Sequence, residues 1–292
     1  MGLDPDRECF SCFRRGFSDY VTRAGLGTEE FDDLMTIVNR NLNNGLTPPK
    51  AGAEPWSLLR KASIYSNDIF QEEKEFFTRQ MLLHYDELKT HFLQMDDPQS
   101  AALAAATWCN LIDVGQGIPL PGTEELLDTF SSPLIPDERM EFFNDLHGAG
   151  TLLVLGDNAG ETVMDRLFLD LAAFDGTKYY MTREFPVMND ATLKDAEMAG
   201  LHGVATLISS GIDVPAVIPD MLRGEAATVF ETADVILAKG QGNLEGLFGL
   251  NDHRIYHSFV VKCPVVSRAT GIPQGNGVFC RFTNTGGKNA HL

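Results

Sequence analysis

Short apolar runs alternate with helical patterns in the second half of the chain. The runs lie at residues 151–155, 178–181, 204–208, 235–238 and 259–262. Between them apolar residues recur at helical spacing, as at Met164, Leu167 and Leu171. Short buried strands that alternate with helices are typical of a mostly parallel sheet with helices on both faces. The pattern predicts an α/β fold: a three-layer α/β/α domain with a Rossmann-like sheet over residues 149–292, with an irregular glycine-rich tail after Pro273.

The first half of the chain has the apolar spacing of helices. Two such stripes lie at residues 31–42 and 77–92, and both are interpreted as core packing between helices. An alanine-rich helix follows from residue 100 to about residue 114, with Asn110 and Asp113 three residues apart and therefore on one face. The sequence predicts a mainly helical N-terminal region, residues 1–148, whose Asn110/Asp113 helix reaches the functional site.

The chain carries a large excess of negative charge. Its 292 residues include 41 Asp and Glu but only 23 Lys and Arg, which gives a formal net charge of −18. Such a surface repels a phosphate backbone, so we expect no nucleic-acid partner, and an anionic substrate would need local cations or a bound metal. We expect no membrane span, because no apolar run is long enough. Five scattered cysteines fit a reducing, cytoplasmic setting. The oligomeric state does not follow from the sequence.

Polar side chains follow the predicted strands, at the edge where ligands bind in open parallel sheets. Glycines accompany them after the first, third and fourth strands. Because the carboxyl ends of parallel strands meet at one edge, these segments predict a single polar cleft. The residues concerned are Asp157, Asn158, Glu161, Arg183, Asn189, Asp190, Ser209, Lys239 and Asn243.

Several of these residues also have a purely structural interpretation. Asp157 or Asn158 could cap the following helix, and capping alone is the favoured role for Asp190, which stands just before another predicted helix. Capping does not explain Asp195, because it lies inside that helix and Asp is a poor helix former. Lys239 ends an apolar strand, where a buried ammonium group requires an anionic partner.

The chemistry of this set suggests a cation and a phosphate. Asp157, Asn158 and Asp195 carry hard oxygen ligands, which suit Mg²⁺, Mn²⁺ or a similar octahedral cation and leave positions for water and a phosphate oxygen. Arg183 and Lys239 would neutralise a phosphoryl group. Water bound to such a metal is more acidic than bulk water and can attack phosphorus. These residues therefore indicate metal-dependent cleavage of a phosphate ester.

Five segments in order resemble the metal-dependent damage-control phosphatase family, long known as domain of unknown function 89, and specifically its prokaryotic branch with an N-terminal cysteine pair. They are residues 9–12, 108–113, 156–161, 183–196 and 239–243. The resemblance implies a helical region packed on an α/β/α domain and a divalent metal (Mn²⁺, Co²⁺, Ni²⁺ or Mg²⁺) held by Asp157, Asn158 and Asp195. It implies hydrolysis of phosphate esters of small metabolites, such as sugar phosphates or damaged cofactors.

The same resemblance implies which residues line the pocket. They are Asn110, Asp113, Glu161, Arg183, Asn189, Asp190, Lys239 and Asn243. Within that set we assign Arg183 and Lys239 to the phosphate. Asp190 or Glu161 is assigned to orient or deprotonate water, with Asp157 as the central catalytic carboxylate.

The lone Cys9/Cys12 pair is a weak signal for zinc, since a structural zinc needs four ligands. Cys263 and a histidine would complete a site only if the fold brings them close. A packing role is therefore favoured over metal or redox use. His253 and His257 precede the last apolar run, and we expect both at the surface.

Two other functions remain open on the sequence. A glycine-rich turn after the first strand can hold an adenosyl cofactor, as in an S-adenosylmethionine-dependent methyltransferase, although Asp157 and Asn158 stand where a G-x-G-x-x-G run is expected. A non-catalytic metal- or redox-binding module built on Cys9 and Cys12 is the other alternative. It predicts that Cys-to-Ser changes abolish ligand binding while Asp195→Ala is silent.

Overall fold

A computed structural model describes residues 3–61, 68–111 and 120–283. These residues contain twelve α-helices and seven strands, none of the helices being long and apolar enough to cross a membrane. The elements are α1 (Arg7–Arg23), α2 (Thr28–Asn43), α3 (Pro48–Lys61), α4 (Gln71–Phe92), α5 (Pro98–Trp108), α6 (Thr123–Phe130), β1 (Leu134–Asp137), α7 (Arg139–His147), β2 (Thr151–Leu155), α8 (Glu161–Leu171), β3 (Thr177–Thr182), α9 (Leu193–Met198), β4 (Thr206–Ser209), α10 (Gly224–Thr232), β5 (Val235–Lys239), α11 (Gly240–Leu247), β6 (Ile255–Val260), α12 (Pro264–Thr270) and β7 (Gly277–Cys280).

The seven strands form one sheet in the order β1-β7-β6-β5-β2-β3-β4. All neighbouring pairs are parallel except β6 and β7. The predicted mostly parallel sheet is confirmed. The carboxyl ends of β5, β2 and β3 lie side by side at the centre of the sheet, which is the edge where the sequence predicts a polar cleft.

Strand β2 shows why helices cover both faces of the sheet. Leu152 and Val154 belong to the core that β2 shares with α4, α5 and α8, whereas Leu153 and Leu155 belong to the opposite core with α10. All four side chains are completely buried. Each contributes about 1.5–3 kcal/mol through burial, so the continuous apolar run is required by the two-sided packing.

The first three helices pack around a separate core that includes Phe17, Trp56 and Val38. This cluster contacts the α/β part through α3 against α11 and through α1 against α12. Arg268 of α12 forms ion pairs with Asp6 and Glu8 at the start of α1. The N-terminal helices are thereby placed beside the carboxyl edge of the sheet.

Two strands escaped the sequence analysis. The prediction of an irregular tail after Pro273 was wrong for β7, which pairs with β6 on one side and β1 on the other. Four-residue strands such as these are specified by their neighbours in the sheet more than by their own pattern. Because β1 lies inside the region predicted to be helical, that region contributes a strand to the sheet; the boundary at residue 148 stays a prediction.

His257 was also wrongly predicted, since it lies in the middle of β6 with only 4% of its surface exposed. Its Nδ1 atom has no hydrogen-bond partner among the described residues, and its ring lies 5.5 Å from that of Phe282. Burial lowers the pKa of this imidazole from 6.5 to about 3. The error arose because the strand begins at Ile255, four residues before the predicted start.

Acid should therefore destabilise the protein through His257. Between its two pKa values the unfolded chain binds a proton that the folded chain does not, so the contribution of this group to stability is present above pH 6.5 and is lost as the pH falls toward 3. The unfolding free energy of the wild type should fall between pH 7 and pH 4.5. We expect this fall to be roughly 2–3 kcal/mol smaller in His257→Leu. Urea unfolding at both pH values measures this difference. Equal losses in both proteins would contradict a buried, neutral His257.

Candidate functional site

A tight turn after β2 brings the first site residues to the carboxyl edge of the sheet. Gly160 ends this turn with φ of 84°, and α8 begins at the next residue, Glu161. A Cβ atom at Gly160 would lie 1.7 Å from a ring carbon of Phe77 on α4. Only glycine combines the positive φ with this close approach. Neither Asp157 nor Asn158 caps α8, because Gly160 occupies the N-cap position.

Two asparagine amides hold the carboxylates of Asp157 and Glu161 together. Asn110 Nδ2 donates to Asp157 Oδ2 at 3.0 Å and to Glu161 Oε1 at 2.8 Å. Asn158 Nδ2 donates to the same two oxygens, at 3.0 and 2.5 Å. Asn110 lies in a short 3-10 turn that follows α5, beyond the end of the α-helix. Asp113 lies outside the described residues.

Arg183, which is 1% exposed, joins the ends of three strands. Its Nε donates to Asp190 Oδ2 at 2.7 Å, and its Nη1 donates to Asn243 Oδ1 at 3.2 Å. Its Nη2 lies 3.8 Å from Asp157 Oδ1 and has no hydrogen-bond partner in the described part of the chain. Asn243 in turn donates to the backbone oxygens of Lys239 and Gly156, at 2.7 and 3.0 Å. Asn243 thus positions Arg183 and ties α11 to the turn after β2.

The carboxylates are held where their charge is poorly solvated. Burial, together with the charge of Asp157, raises the pKa of Glu161 to about 7. Burial raises the pKa of Asp190 to about 6, although Arg183 opposes the shift. Glu161 Oε2 is buried without a partner among the described residues. The cluster of Asp157, Glu161 and Asp190 therefore has more negative charge than Arg183 compensates.

Lys239 forms an ion pair inside the protein. Its Nζ is completely buried, 2.6 Å from Asp165 Oδ1 on α8 and 2.8 Å from the backbone oxygen of Ala106. Tyr180 donates to the second oxygen of Asp165 at 2.7 Å. Burial by itself would lower the pKa of Lys239, but Asp165 and Glu161 outweigh it and raise that pKa. The requirement for an anionic partner is met by a structural ion pair.

Asp195, and not Asp190, takes part in capping helix α9. The N-cap of α9 is Thr192, and Asp195 accepts hydrogen bonds from the backbone and side chain of Thr192 at 2.9 and 2.7 Å. Asp195 Oδ2 also lies 2.6 Å from Lys74 Nζ of α4. Asp190 caps nothing and binds Arg183, so the capping interpretation of Asp190 was wrong. A capping box explains the Asp inside the helix.

A cavity of about 460 Å³ opens in front of this cluster. Asp157, Asn158, Asn189 and Asp190 line its inner end, while Phe13 and other residues of α1 and α3 line the outer wall. Asp195, Glu161, Arg183, Lys239 and Asn243 are not among its described lining residues. Ser209 is also absent from the lining; its hydroxyl donates to Glu184. The structure thus brings four of the predicted residues to the cavity, and the other predicted residues that it describes are not part of the lining.

The sequence is similar to a known protein family over most of its length. The family model of the damage-control phosphatase ARMT1-like domain matches residues 6–278. The chain belongs to this family. A damage-control phosphatase of Pyrococcus horikoshii is 34% identical over 278 residues, covering 92% of this chain and 94% of its own. Another from Archaeoglobus fulgidus is 33% identical over 132 residues, 44% of this chain and 46% of its own.

A solved structure of the same family has the same fold. The crystal structure of a domain of unknown function 89 protein from Pyrococcus horikoshii matches with a TM-score of 0.83 and 29% sequence identity. The match covers 96% of this chain and 99% of that chain. The family and its fold, which the sequence segments indicated, are confirmed, and the family match supports a phosphatase.

The fold brings the three cysteines Cys9, Cys12 and Cys263 to the cavity of this damage-control phosphatase family member. All three are free thiols; Cys9 is buried, which raises its pKa, whereas Cys12 is exposed. Within residues 3–61, 68–111 and 120–283, no three His, Cys, Asp or Glu side chains are arranged to hold a metal by themselves. Any cation at the carboxylate cluster therefore needs an asparagine oxygen, water or a ligand to complete its shell.

The sequence analysis missed four charged residues of the cavity: Glu8, Arg15, Glu245 and Lys262. Burial raises the pKa of Glu245 to about 7. Lys262 was assigned as the last residue of the final predicted strand, but β6 ends at Val260. Lys262 therefore follows a strand end, like Asp157 and Arg183. The rule that found those residues would have found Lys262 had the strand been placed correctly.

The backbone at Gly240 lies very close to the carboxylate of Asp157. Its φ is 77°, and a Cβ atom there would lie 1.9 Å from Asp157 Oδ2. We expect Gly240→Ala to lower the unfolding free energy by at least about 1–2 kcal/mol, since the left-handed backbone alone costs that much. Gly271→Ala is the matched control, because Gly271 also has a left-handed backbone, with φ of 75°, but a Cβ atom there meets nothing within 4 Å. Equal urea midpoints for the two variants would contradict the close approach.

Proposed function

We propose that this protein is a metal-dependent phosphatase that hydrolyses phosphate monoesters of small metabolites. The observation that carries the proposal is the surplus of buried carboxylate charge at the inner end of the cavity. A volume of about 460 Å³ falls in the range of pockets for small molecules. The names of the relatives support a phosphatase over the methyltransferase and the cysteine-based binding module.

The donor set suits a hard divalent cation such as Mn²⁺, Co²⁺, Ni²⁺ or Mg²⁺. Asp157 and Asp190 each present a carboxylate to the cavity, and Asn158 lies beside Asp190 in an isolated β-bridge. Because the amide nitrogen of Asn158 donates to Asp157 and Glu161, its amide oxygen is left for the cavity. We therefore assign the metal to Asp157, Asn158 and Asp190.

This assignment replaces Asp195, the third ligand expected from the sequence. The Oδ2 atom of Asp195 is already bound by Thr192 and Lys74, and Asp195 does not line the cavity. We propose that Asp195 keeps the segment from Arg183 to Thr192 in place, because its capping box fixes the end of that segment. Another β-bridge joins Arg183 and Thr192.

The chain's own groups would divide the remaining work. A divalent cation supplies Lewis-acid stabilisation of phosphoryl oxygens and makes water more acidic. Arg183 orients Asp190 through its Nε, while Asn110 and Glu161 orient Asp157 and Asn158. Asn189 lies beside Asp190 on the cavity wall, where its side chain would contact the ester. Deprotonation of water by Glu161 stays a prediction, since this carboxyl does not line the cavity.

A metal-by-substrate screen tests the proposed activity. Purified protein should hydrolyse p-nitrophenyl phosphate, and members of a panel of sugar and nucleoside phosphates, with added Mn²⁺, Co²⁺, Ni²⁺ or Mg²⁺. EDTA should abolish turnover, and Asp157→Asn should lower kcat/KM by roughly a thousandfold or more, the scale of losing a metal-assisted step. No turnover on the panel with any of the metals would refute the proposal.

The choice between Asp190 and Asp195 can be tested without turnover. Titration calorimetry with Mn²⁺ should give an affinity at least roughly tenfold weaker for Asp190→Asn, since a charged ligand is lost. Asp195→Asn should bind Mn²⁺ within about threefold of the wild type while losing at least about 0.5–2 kcal/mol of stability, because both its cap and its ion pair with the buried Lys74 are weakened. Near-ultraviolet circular dichroism establishes that both variants are folded. Weak binding by Asp195→Asn alone would restore Asp195 as the ligand.

A further inference from the structure

The two cations that the sequence assigns to phosphate are both engaged inside the protein. Lys239 is paired with Asp165, and Arg183 with Asp190 and Asn243. Neither side chain lines the described part of the cavity. A phosphoryl group entering the cavity would therefore meet Asp157 and Asp190 without a neutralising side chain from this pair.

Two other cations line the cavity, Lys262 and Arg15. Neither forms an ion pair with another residue in the three described stretches of the chain, whereas Lys89, Arg60 and many other surface cations do. A cation that faces a binding cavity without a carboxylate partner is available to an anionic ligand. Lys262 and Arg15 differ in which end of the cavity they influence.

Lys262 acts on the carboxylate end. It follows β6 next to β5 in the sheet, and its backbone N–H donates to Gln241 Oε1 at 2.8 Å. Gln241 stands between Gly240 and Gly242, and a Cβ atom at these two glycines would lie 1.9 and 4.0 Å from carboxylate oxygens of Asp157. Arg15 on α1 instead acts on Cys12 at the outer wall. Lys262 is therefore the free cation nearer to Asp157 and its neighbours.

We propose that Lys262 is the side chain that binds the phosphoryl group in this cavity. This inference rests on the proposed function, and it replaces Lys239 in the phosphate-binding role. The Lys262 ammonium group would donate to non-bridging phosphate oxygens, and the hydrogen bond to Gln241 fixes the backbone from which it extends. Lys239 keeps a structural role beneath the site.

The test measures binding of inorganic phosphate as well as turnover. In the full-length protein with Mn²⁺, Lys262→Gln should weaken phosphate affinity in calorimetry by roughly tenfold to a hundredfold, the value of a charge-assisted hydrogen bond. The KM for p-nitrophenyl phosphate should rise by a similar factor, with a smaller change in kcat. Lys262→Arg should restore most of the affinity, because it restores the charge. Lys89→Gln, which removes a charge far from the cavity, should match the wild type.

Salt and stability separate ligand binding from a structural effect. The phosphate affinity of the wild type should fall as KCl is raised, and that of Lys262→Gln should fall less steeply. The melting temperature of Lys262→Gln should be unchanged, whereas Lys239→Met should melt well below the wild type because Asp165 is left buried and unpaired.

Each result decides between the assignments. If the wild type hydrolyses esters and Lys262→Gln binds phosphate equally well, the Lys262 assignment is overturned and the proposed function stands. A loss seen in Arg15→Gln instead would also overturn it. If no ester is hydrolysed but Lys262→Gln still weakens phosphate binding, the anion site stands and the phosphatase proposal falls. A wild type that binds no phosphate refutes the Lys262 site.

Discussion

Negative charge buried at the ends of β2 and β3 is the constraint on which the rest of this site depends. Three carboxylates, from Asp157, Glu161 and Asp190, are shielded from water by the surrounding helices, and burial without compensation is costly. The compensation comes from distant parts of the chain: Asn110 from the helical region and Arg183 from the neighbouring strand. The helical region and the sheet must therefore be docked before the carboxylates are correctly held.

A second layer of ion pairing supports the first. Lys239 and Asp165 link the end of β5 to α8 directly beneath the carboxylates, and Tyr180 completes the pair from β3. Removing one partner of such a buried pair typically costs 3–5 kcal/mol, because the other charge is stranded. The interior cations therefore stabilise the fold, and the proposed binding of an anionic ligand is left to cations that line the cavity.

Predictions from the sequence were correct where the neighbouring residues in the chain determine the structure that a residue adopts. The run at β2 was placed correctly because two-sided burial leaves a continuous apolar signature. Such predictions failed where the role of a residue depends on a partner that is distant in sequence. Asp190 looks like a cap until Arg183 is seen beside it, and Lys239 looks like a ligand-binding group until Asp165 is found on the adjacent helix. His257 was misplaced because a strand start moved by four residues. The strand ends could be predicted, but the pairing among them could not.

Helix α1 forms one wall of the cavity, while the carboxylates at its inner end come from the other half of the chain. Leu3, just ahead of this helix, belongs to the same buried apolar cluster as Leu244 and Phe259, and it also lines the cavity. The ion pairs of Arg268 with Asp6 and Glu8 are exposed, and exposed pairs contribute only about 0–1 kcal/mol each. A purification tag or fusion partner joined ahead of Leu3 would consequently stand at the rim of the binding pocket, which makes tag position an experimental variable in any assay of this protein.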